Sequence, residues 1–257
     1  MARTIFMIHG MWGGPWCWEK FQAYFENQGY QCVVPTLRHH DVPPHGSPPP
    51  GLGATSLLDY AADLEAQIRS LPEEPIIMGH SMGGFLAQKL AARGLGKAAV
   101  FITPAAPRGI FATRWSVLKS FRGALFTWGF WEKANMPSLD EAVYSMMALL
   151  SPEEQRQAHD RFVFESGRAA AELGFWLLDC GRASEVDEAG ICCPVLVVAG
   201  GQDRITPATV VRQVARKYAR VATYKEFPDH AHWILGERGW EDVAAYVQRW
   251  LGCFALT

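Results

Sequence analysis

Apolar residues in this chain come in short unbroken runs separated by longer amphipathic stretches. Thr4-Ile5-Phe6-Met7-Ile8, Gln31-Cys32-Val33-Val34-Pro35, Pro75-Ile76-Ile77-Met78, Ala98-Ala99-Val100-Phe101-Ile102 and Pro194-Val195-Leu196-Val197-Val198-Ala199 are five such runs, and a sixth segment covers Ala222 to Phe227. Runs this short without polar alternation predict strands buried on both faces. Between them, Cys17 to Gln28 places Trp18, Phe21 and Phe25 on one helical face, and Leu57 to Ser70, Phe85 to Ala92 and Trp240 to Leu251 also read as helices. Residues 41–53 are rich in Pro and Gly and are not expected to form regular structure. Strands alternating with helices predict an α/β fold, a mostly parallel central sheet flanked by helices with right-handed crossovers. From about Ala105 to Gly190 the rhythm breaks into helical patterns without a clear strand. The expectation is an α/β core of residues 1–104 and 191–257 with a helical cap, 105–190, inserted between two strands of one sheet.

Composition narrows this picture. With 257 residues and 49% hydrophobic content, the chain fits one domain with an insertion. A net charge of −2 and scattered basic residues give no electrostatic case for a nucleic-acid partner. No apolar stretch approaches the roughly 18 residues of a membrane span, and no leader pattern follows Met1-Ala2-Arg3-Thr4, so a soluble cytoplasmic protein is expected. The six cysteines are irregularly spaced and include no C-x-x-C pattern. Cys192-Cys193, at the start of an apolar strand, are expected as small buried residues. His39, His40, Asp41 and His45 lie in the stiff Pro-rich loop, which is expected to border the site without holding a metal.

Gly79-His80-Ser81-Met82-Gly83-Gly84 carries the chemistry. It joins a predicted strand to a predicted helix, with glycine on either side of Ser81 at −2 and +2. A strand that turns this sharply forces its central residue into a sparsely allowed conformation and brings backbone too close for side chains at the flanking positions. The hydroxyl is then exposed at a helix N-terminus, where negative charge is stabilised. A serine nucleophile needs a base, and the base needs an acid to orient it. Asp203, in Gly200-Gly201-Gln202-Asp203, lies just past the carboxyl end of a strand, where parallel sheets place their sites. Asp179, Glu185 and Asp187 have no preceding strand. His230 and His232 both follow the last strand. His232, which leads into Trp233-Ile234-Leu235-Gly236-Glu237, is the expected base, leaving His230 solvated or bonded to backbone. A tetrahedral oxyanion needs two donors, expected from the backbone N–H groups of Met82 and of Met11, in the loop after the first strand.

Four ordered pieces, His9-Gly10, Gly79-His80-Ser81-Met82-Gly83, Gly201-Gln202-Asp203 and His232, resemble the α/β-hydrolase superfamily over nearly the whole chain. Within it, His9-Gly10-Met11-Trp12-Gly13-Gly14-Pro15-Trp16-Cys17-Trp18 looks like the plant methylesterase and hydroxynitrile lyase group. That resemblance implies ester cleavage by a serine esterase of the carboxylesterase kind, acting on small-molecule esters without a cofactor. Hydroxynitrile lyases of the group use a Lys close to the catalytic His, and residues 230–237 contain none. Dehalogenases and epoxide hydrolases that resemble this fold carry Asp where Ser81 stands.

The expected cap is dense in aromatics: Trp115, Trp128, Trp131 and Trp176, with Phe111, Phe121, Phe126, Phe130, Phe162, Phe164 and Phe175. These could bound an apolar pocket over Ser81 or form the core that a helical cap needs; Met146-Met147 admits the same two readings. The sequence supports hydrolysis of small to medium apolar carboxylic esters through an acyl-enzyme. It equally accommodates a receptor-like hydrolase with slow or single turnover, or carbon–carbon hydrolysis or perhydrolysis on the same residues.

Overall fold

The computed structural model describes residues 3–112, 115–125 and 127–254. Its sheet has six parallel strands, β1 (Thr4–Ile8), β2 (Gln31–Val33), β3 (Ile76–His80), β4 (Ala98–Ile102), β7 (Val195–Gly200) and β8 (Ala222–Phe227), in the order β2-β1-β3-β4-β7-β8. Two further strands lie between β4 and β7. β3 therefore runs through the interior of the sheet, with Ile77 in register with Phe6 on one side and Ala99 on the other. The four strands β1, β3, β4 and β7 are buried along their whole length. That is why the sequence reads there as unbroken apolar runs. The edge strand β8 is half-exposed and carries Lys225 and Glu226, charges that discourage further strand pairing.

Alternate residues of the buried strands face two separate cores. Phe6, Ile77, Phe101 and Val197 pack with helices α2 (Leu57–Arg69), α3 (Met82–Ala92) and α9 (Ala208–Lys217). Ile5, Met78, Val100 and Val198 pack with α1 (Glu19–Asn27) and α10 (Trp240–Gly252). The apolar helical faces meet these layers. Phe21 and Phe25 of α1 and Val243, Ala244 and Val247 of α10 are all buried. α9 is a helix that the sequence reading did not single out. It supplies Val210, Val211 and Val214 to the sheet face and leaves its charged residues outward.

Residues between β4 and β7 hold helices α4 (Trp115–Ser120), α5 (Arg122–Leu125), α6 (Leu139–Ser145), α7 (Pro152–His159) and α8 (Gly167–Gly174). They also hold two short antiparallel strands, β5 (Ala134–Asn135) and β6 (Glu165–Ser166), where the sequence suggested none. Two-residue strands bury too few positions to leave a period-two signature. This segment is tied to the core by buried polar groups. Glu172 of α8 accepts hydrogen bonds from the Ser56 hydroxyl and the Leu57 N–H, each at 2.8 Å, at the start of α2. Lys89 of α3 donates to the carbonyls of Ala183 and Glu185 at 2.9 and 2.8 Å. Residues 41–53 are irregular apart from a single 3₁₀ turn at Leu52–Ala54. Cys192 is exposed and Cys193 half-buried, because Pro194 delays the strand to Val195 and leaves both thiols in the preceding loop.

Replacing Glu172 with leucine should strand the buried Ser56 and Leu57 donors and lower stability by roughly 1–3 kcal/mol. Urea unfolding of Glu172→Leu beside Glu172→Gln, which keeps one acceptor, measures it; equal stability of the two variants would contradict this account.

Candidate active site

Ser81 sits between β3 and α3 with φ 57° and ψ −121°. A non-glycine residue holds such a conformation only when its surroundings over-determine it. Here the Ser81 N–H donates to the Ile102 carbonyl at 3.1 Å, and its carbonyl accepts from Phe85 and Ala105 at 3.1 and 2.9 Å. The flanking glycines are sterically required. A Cβ on Gly79 would strike the Gly83 carbonyl, and one on Gly83 would strike the carbonyls of Ile8 and His9. The loop after β1 presses equally close, since a Cβ on Gly10 would lie 2.8 Å from Ser81 Cβ and 3.4 Å from its hydroxyl.

Buried histidines fix the backbone around that hydroxyl. His9 Nδ1 is bonded to the Gly10 carbonyl at 2.9 Å, and His9 Nε2 accepts the Leu37 N–H at 3.2 Å. Those partners require the neutral ring with its proton on Nδ1, and burial together with nearby His40 presses its pKa down to about 3. Engaging the Gly10 carbonyl fixes the trans peptide plane that also carries the Met11 N–H. His80, immediately before Ser81, has Nε2 2.8 Å from the His232 carbonyl, and its ring centroid is 4.9 Å from that of His232. Burial, then the neighbouring His232, press His80 to about 3 as well. It is therefore a neutral donor to the His232 backbone. The sequence reading missed this role because nothing in the spacing of residues 80 and 232 reveals it.

Asp203 and His232 are paired, with Oδ2 2.7 Å from Nδ1 and both side chains inaccessible to solvent. The remaining Asp203 oxygen accepts the N–H groups of Ile205 and Thr206 at 2.9 and 2.8 Å, and the Thr206 hydroxyl lies 2.8 Å from Oδ2. A carboxylate so saturated holds the imidazole with its proton on Nδ1. The other ring nitrogen, Nε2, is buried and has no hydrogen-bond partner among the described residues. His230 is paired elsewhere. Its Nδ1 lies 3.2 Å from Glu237 Oε2, which also accepts the Ala231 N–H at 2.8 Å. His230 is thus buried against a carboxylate rather than solvated or bonded to backbone. The reason is that Trp233–Glu237 folds back over the loop, which local sequence does not disclose.

Above Ser81 lies a cavity of about 450 Å³, which Met11, Met82 and Thr206 also line. Among the described residues, Ser81 and Thr206 are the hydroxyl-bearing members of its lining; the other described lining side chains are apolar or glycine, and none of them is charged. The structure sorts the aromatics of residues 105–190. Phe111, Phe121, Phe130, Phe175 and Trp176 line the cavity, Phe162 is core beside Met146 and Met147, and Trp115 and Trp128 are 77% and 86% exposed. Phe126 lies outside the described residues.

The histidines of the Pro-rich loop part company. His40 is buried, 3.2 Å from Glu165; burial opposes its charge, yet Glu165 lifts its pKa above the usual value. His45 lies near His159 and Asp160, with one potential metal-ligand atom from each within 4.8 Å of the others. The Nε2 atoms of His45 and His159 are, however, bonded to the carbonyls of His159 and Pro137.

Comparison with known proteins adds the following. The family described as "Alpha/beta hydrolase family" matches residues 5–246. The chain superimposes on a methylesterase from Arabidopsis with a TM-score of 0.74, 14% identity, and coverage of 98% of this chain and 100% of the other. It superimposes on polyneuridine aldehyde esterase with a TM-score of 0.71 at 14% identity, covering 97% and 99%. It is 27% identical over 265 residues to the dihydrolipoyllysine-residue acetyltransferase component of an acetoin cleaving system from Cupriavidus necator, covering 98% of this chain and 64% of that protein. The chain spans less than two thirds of the length of the curated relatives it matches.

Because His9 and His80 are held near pKa 3 in the folded protein, against 6.5 when unfolded, the unfolded state binds more protons between those values. Stability is then complete above pH 6.5 and lost as pH falls, by roughly 1.4 kcal/mol per unit for each histidine. His80→Gln, whose amide can still donate to the His232 carbonyl, should show a shallower loss. Urea midpoints of both proteins from pH 7 to 4 test this; parallel curves would refute it.

Proposed function

The chain belongs to the alpha/beta hydrolase family, and on that premise we propose that it is a serine hydrolase cleaving uncharged carboxylic esters. One observation carries this reading: Ser81 lies on a strained turn and lines a cavity whose described lining is uncharged, while His80, the residue before it, contacts a buried histidine locked by Asp203 with Nε2 unpartnered. Esterases among the structural neighbours agree with it at the level of reaction type.

In this mechanism the Ser81 hydroxyl attacks the acyl carbon while His232 Nε2 takes its proton. Asp203 holds the imidazole tautomer and stabilises the imidazolium. His80 stays neutral beside it, so no second positive charge opposes that cation. The tetrahedral oxyanion is held by the N–H groups of Met82 and Met11, removal of one such donor costing about 3–4 kcal/mol of transition-state stabilisation. His232 then returns the proton to the departing alcohol. Water repeats the sequence on the acyl-enzyme and frees the acid. Residues 105–190 act as a cap whose aromatics exclude water from the reacting atoms, which strengthens the electrostatic interactions there. An uncharged lining selects against ionised acyl groups, because burying an unpaired charge is costly.

A fluorophosphonate should label Ser81, as read by peptide mass spectrometry; a label elsewhere on active protein would overturn the assignment. His232→Ala should lower kcat by roughly 10³- to 10⁶-fold, while His230→Gln should keep most of the activity; the reverse ranking would give the base role to His230. Over a series of p-nitrophenyl esters, kcat/KM should rise about fourfold per methylene until the cavity fills, then fall. A flat series, or a hemisuccinate ester matching its neutral analogue, would contradict the apolar pocket. A single slow turnover with ligand-dependent protection of residues 105–190 would favour the receptor-like alternative.

A further inference from the structure

A second chamber of about 300 Å³ lies next to the cavity over Ser81. The two share three lining residues, Trp12, Phe121 and Phe130, so these rings form the partition between them. The chambers differ in chemistry. Among the described residues the first has no charged lining side chain, whereas the second is lined by Ser120, Thr127, Lys133, Asn135 and Glu141.

Trp12 is the unusual member of the wall. It follows Met11 in the loop after β1 and has φ 60°, an outlying conformation for a bulky aromatic residue. Its carbonyl accepts the Val163 N–H at 3.0 Å, and its indole N–H donates to Asn135 Oδ1 at 3.1 Å. Asn135 is itself held, since its amide donates to the Glu165 carbonyl at 3.3 Å. A single side-chain hydrogen bond to a chamber-lining amide oxygen thus holds an otherwise apolar ring, whose centroid lies 6.0 Å from that of Phe121 with the planes tilted by 41°. Strain of this kind persists where the conformation has a use.

From this geometry we propose that the second chamber is a subsite for the hydroxylated far end of a long ester, and that Trp12 is the gate between the two chambers. The inference rests on the serine-hydrolase reading of Ser81. A terminal hydroxyl both donates and accepts, and this chamber offers both. The Ser120 and Thr127 hydroxyls donate to the carbonyls of Ser116 and Gly123, which leaves their oxygens free to accept. The Lys133 ammonium uses one donor on the Trp128 carbonyl and has two more. Glu141 is engaged by the Arg122 guanidinium at 3.3 Å and by the Ser138 N–H and hydroxyl, each at 3.0 Å, so the groups left to a ligand are the Lys133 donors and the two hydroxyl oxygens, a donor and acceptor set that a neutral hydroxyl uses in full. A hydroxyl that displaces Asn135 from the indole can satisfy the same amide as the ring swings aside.

The test compares p-nitrophenyl hexadecanoate with p-nitrophenyl 16-hydroxyhexadecanoate. In the wild type the hydroxylated ester should have the higher kcat/KM by about tenfold, the value of one well-made polar contact. Asn135→Leu should abolish or invert that ratio. Trp12→Ala should move the chain-length optimum to longer esters, and Phe121→Ala opens the same wall if Trp12→Ala does not fold. A wild-type ratio of one or less, a ratio unchanged in Asn135→Leu, or an unmoved optimum in a folded wall variant would each overturn the proposal. A wild type that cleaves no ester at all defeats the Ser81 reading instead. The chamber is then judged by melting temperature: 1,12-dodecanediol should stabilise the wild type more than 1-dodecanol does, and Asn135→Leu should erase the difference; equal shifts in the wild type would overturn it.

Discussion

The site depends on backbone packed against backbone at the crossing of two loops. Gly83 rests on the carbonyls of Ile8 and His9, Gly79 on the carbonyl of Gly83, and Gly10 on the side chain of Ser81. No methyl group fits at any of these three points. This closeness holds Ser81 in its strained conformation and places the loop after β1 beside its hydroxyl. It also requires the two loops to leave adjacent parallel strands, β1 and β3, at their carboxyl ends. The sheet order therefore matters to the site as directly as any side chain does.

Around that crossing the protein uses buried neutral imidazoles as rigid hydrogen-bonding parts. His9 ties the Gly10 carbonyl to the Leu37 N–H, and His80 ties the Ser81 turn to the backbone of His232. Burial keeps both uncharged, so neither adds positive charge beside His232. The fully buried His40 follows the opposite rule, because Glu165 faces it. Glu165 also accepts the Tyr60 hydroxyl at 2.7 Å, and its backbone carbonyl anchors Asn135. Polar contacts thus run from α2 through β6 to the indole of Trp12.

Residues between β4 and β7 divide their aromatics by position. Some rings line the cavity that Ser81 also lines, Phe162 and the two methionines build a small core against Trp12, and Trp115 and Trp128 stand in solvent. The chain holds this segment down with Glu172 and Lys89, buried charges whose partners belong to the other layer. Such ties add modest net stability while satisfied and are costly to break. They therefore fix where the segment sits more than how stable it is.

Local pattern alone disclosed the parallel sheet, its strands and the strand–turn–helix around Ser81, because these features write themselves into hydrophobic period and glycine placement. The pattern places β8 at Ala222 to Phe227, the residues it occupies. Ser81, Asp203 and His232 could be named as candidates, with Met11 and Met82 as candidate backbone donors, because each lies past a strand end beside a recognisable neighbour; of these the structure joins Asp203 to His232. Contacts between distant segments left no such trace. Nothing in residues 228–237 shows that His230 turns to Glu237 while His232 turns to Asp203, or that His80 reaches the backbone of His232. Aromatics at helical spacing look alike whether they face a cavity, a core or water. Two-residue strands carry no period, and α9 lies between strands whose own signal is stronger. The longer elements, α9 apart, were legible because hydrophobic period and turn glycines act over only a few residues. Which buried polar atoms meet, and where the two chambers divide, follows from packing between residues more than a hundred positions apart, such as Trp12 and Asn135, and no local pattern encodes it.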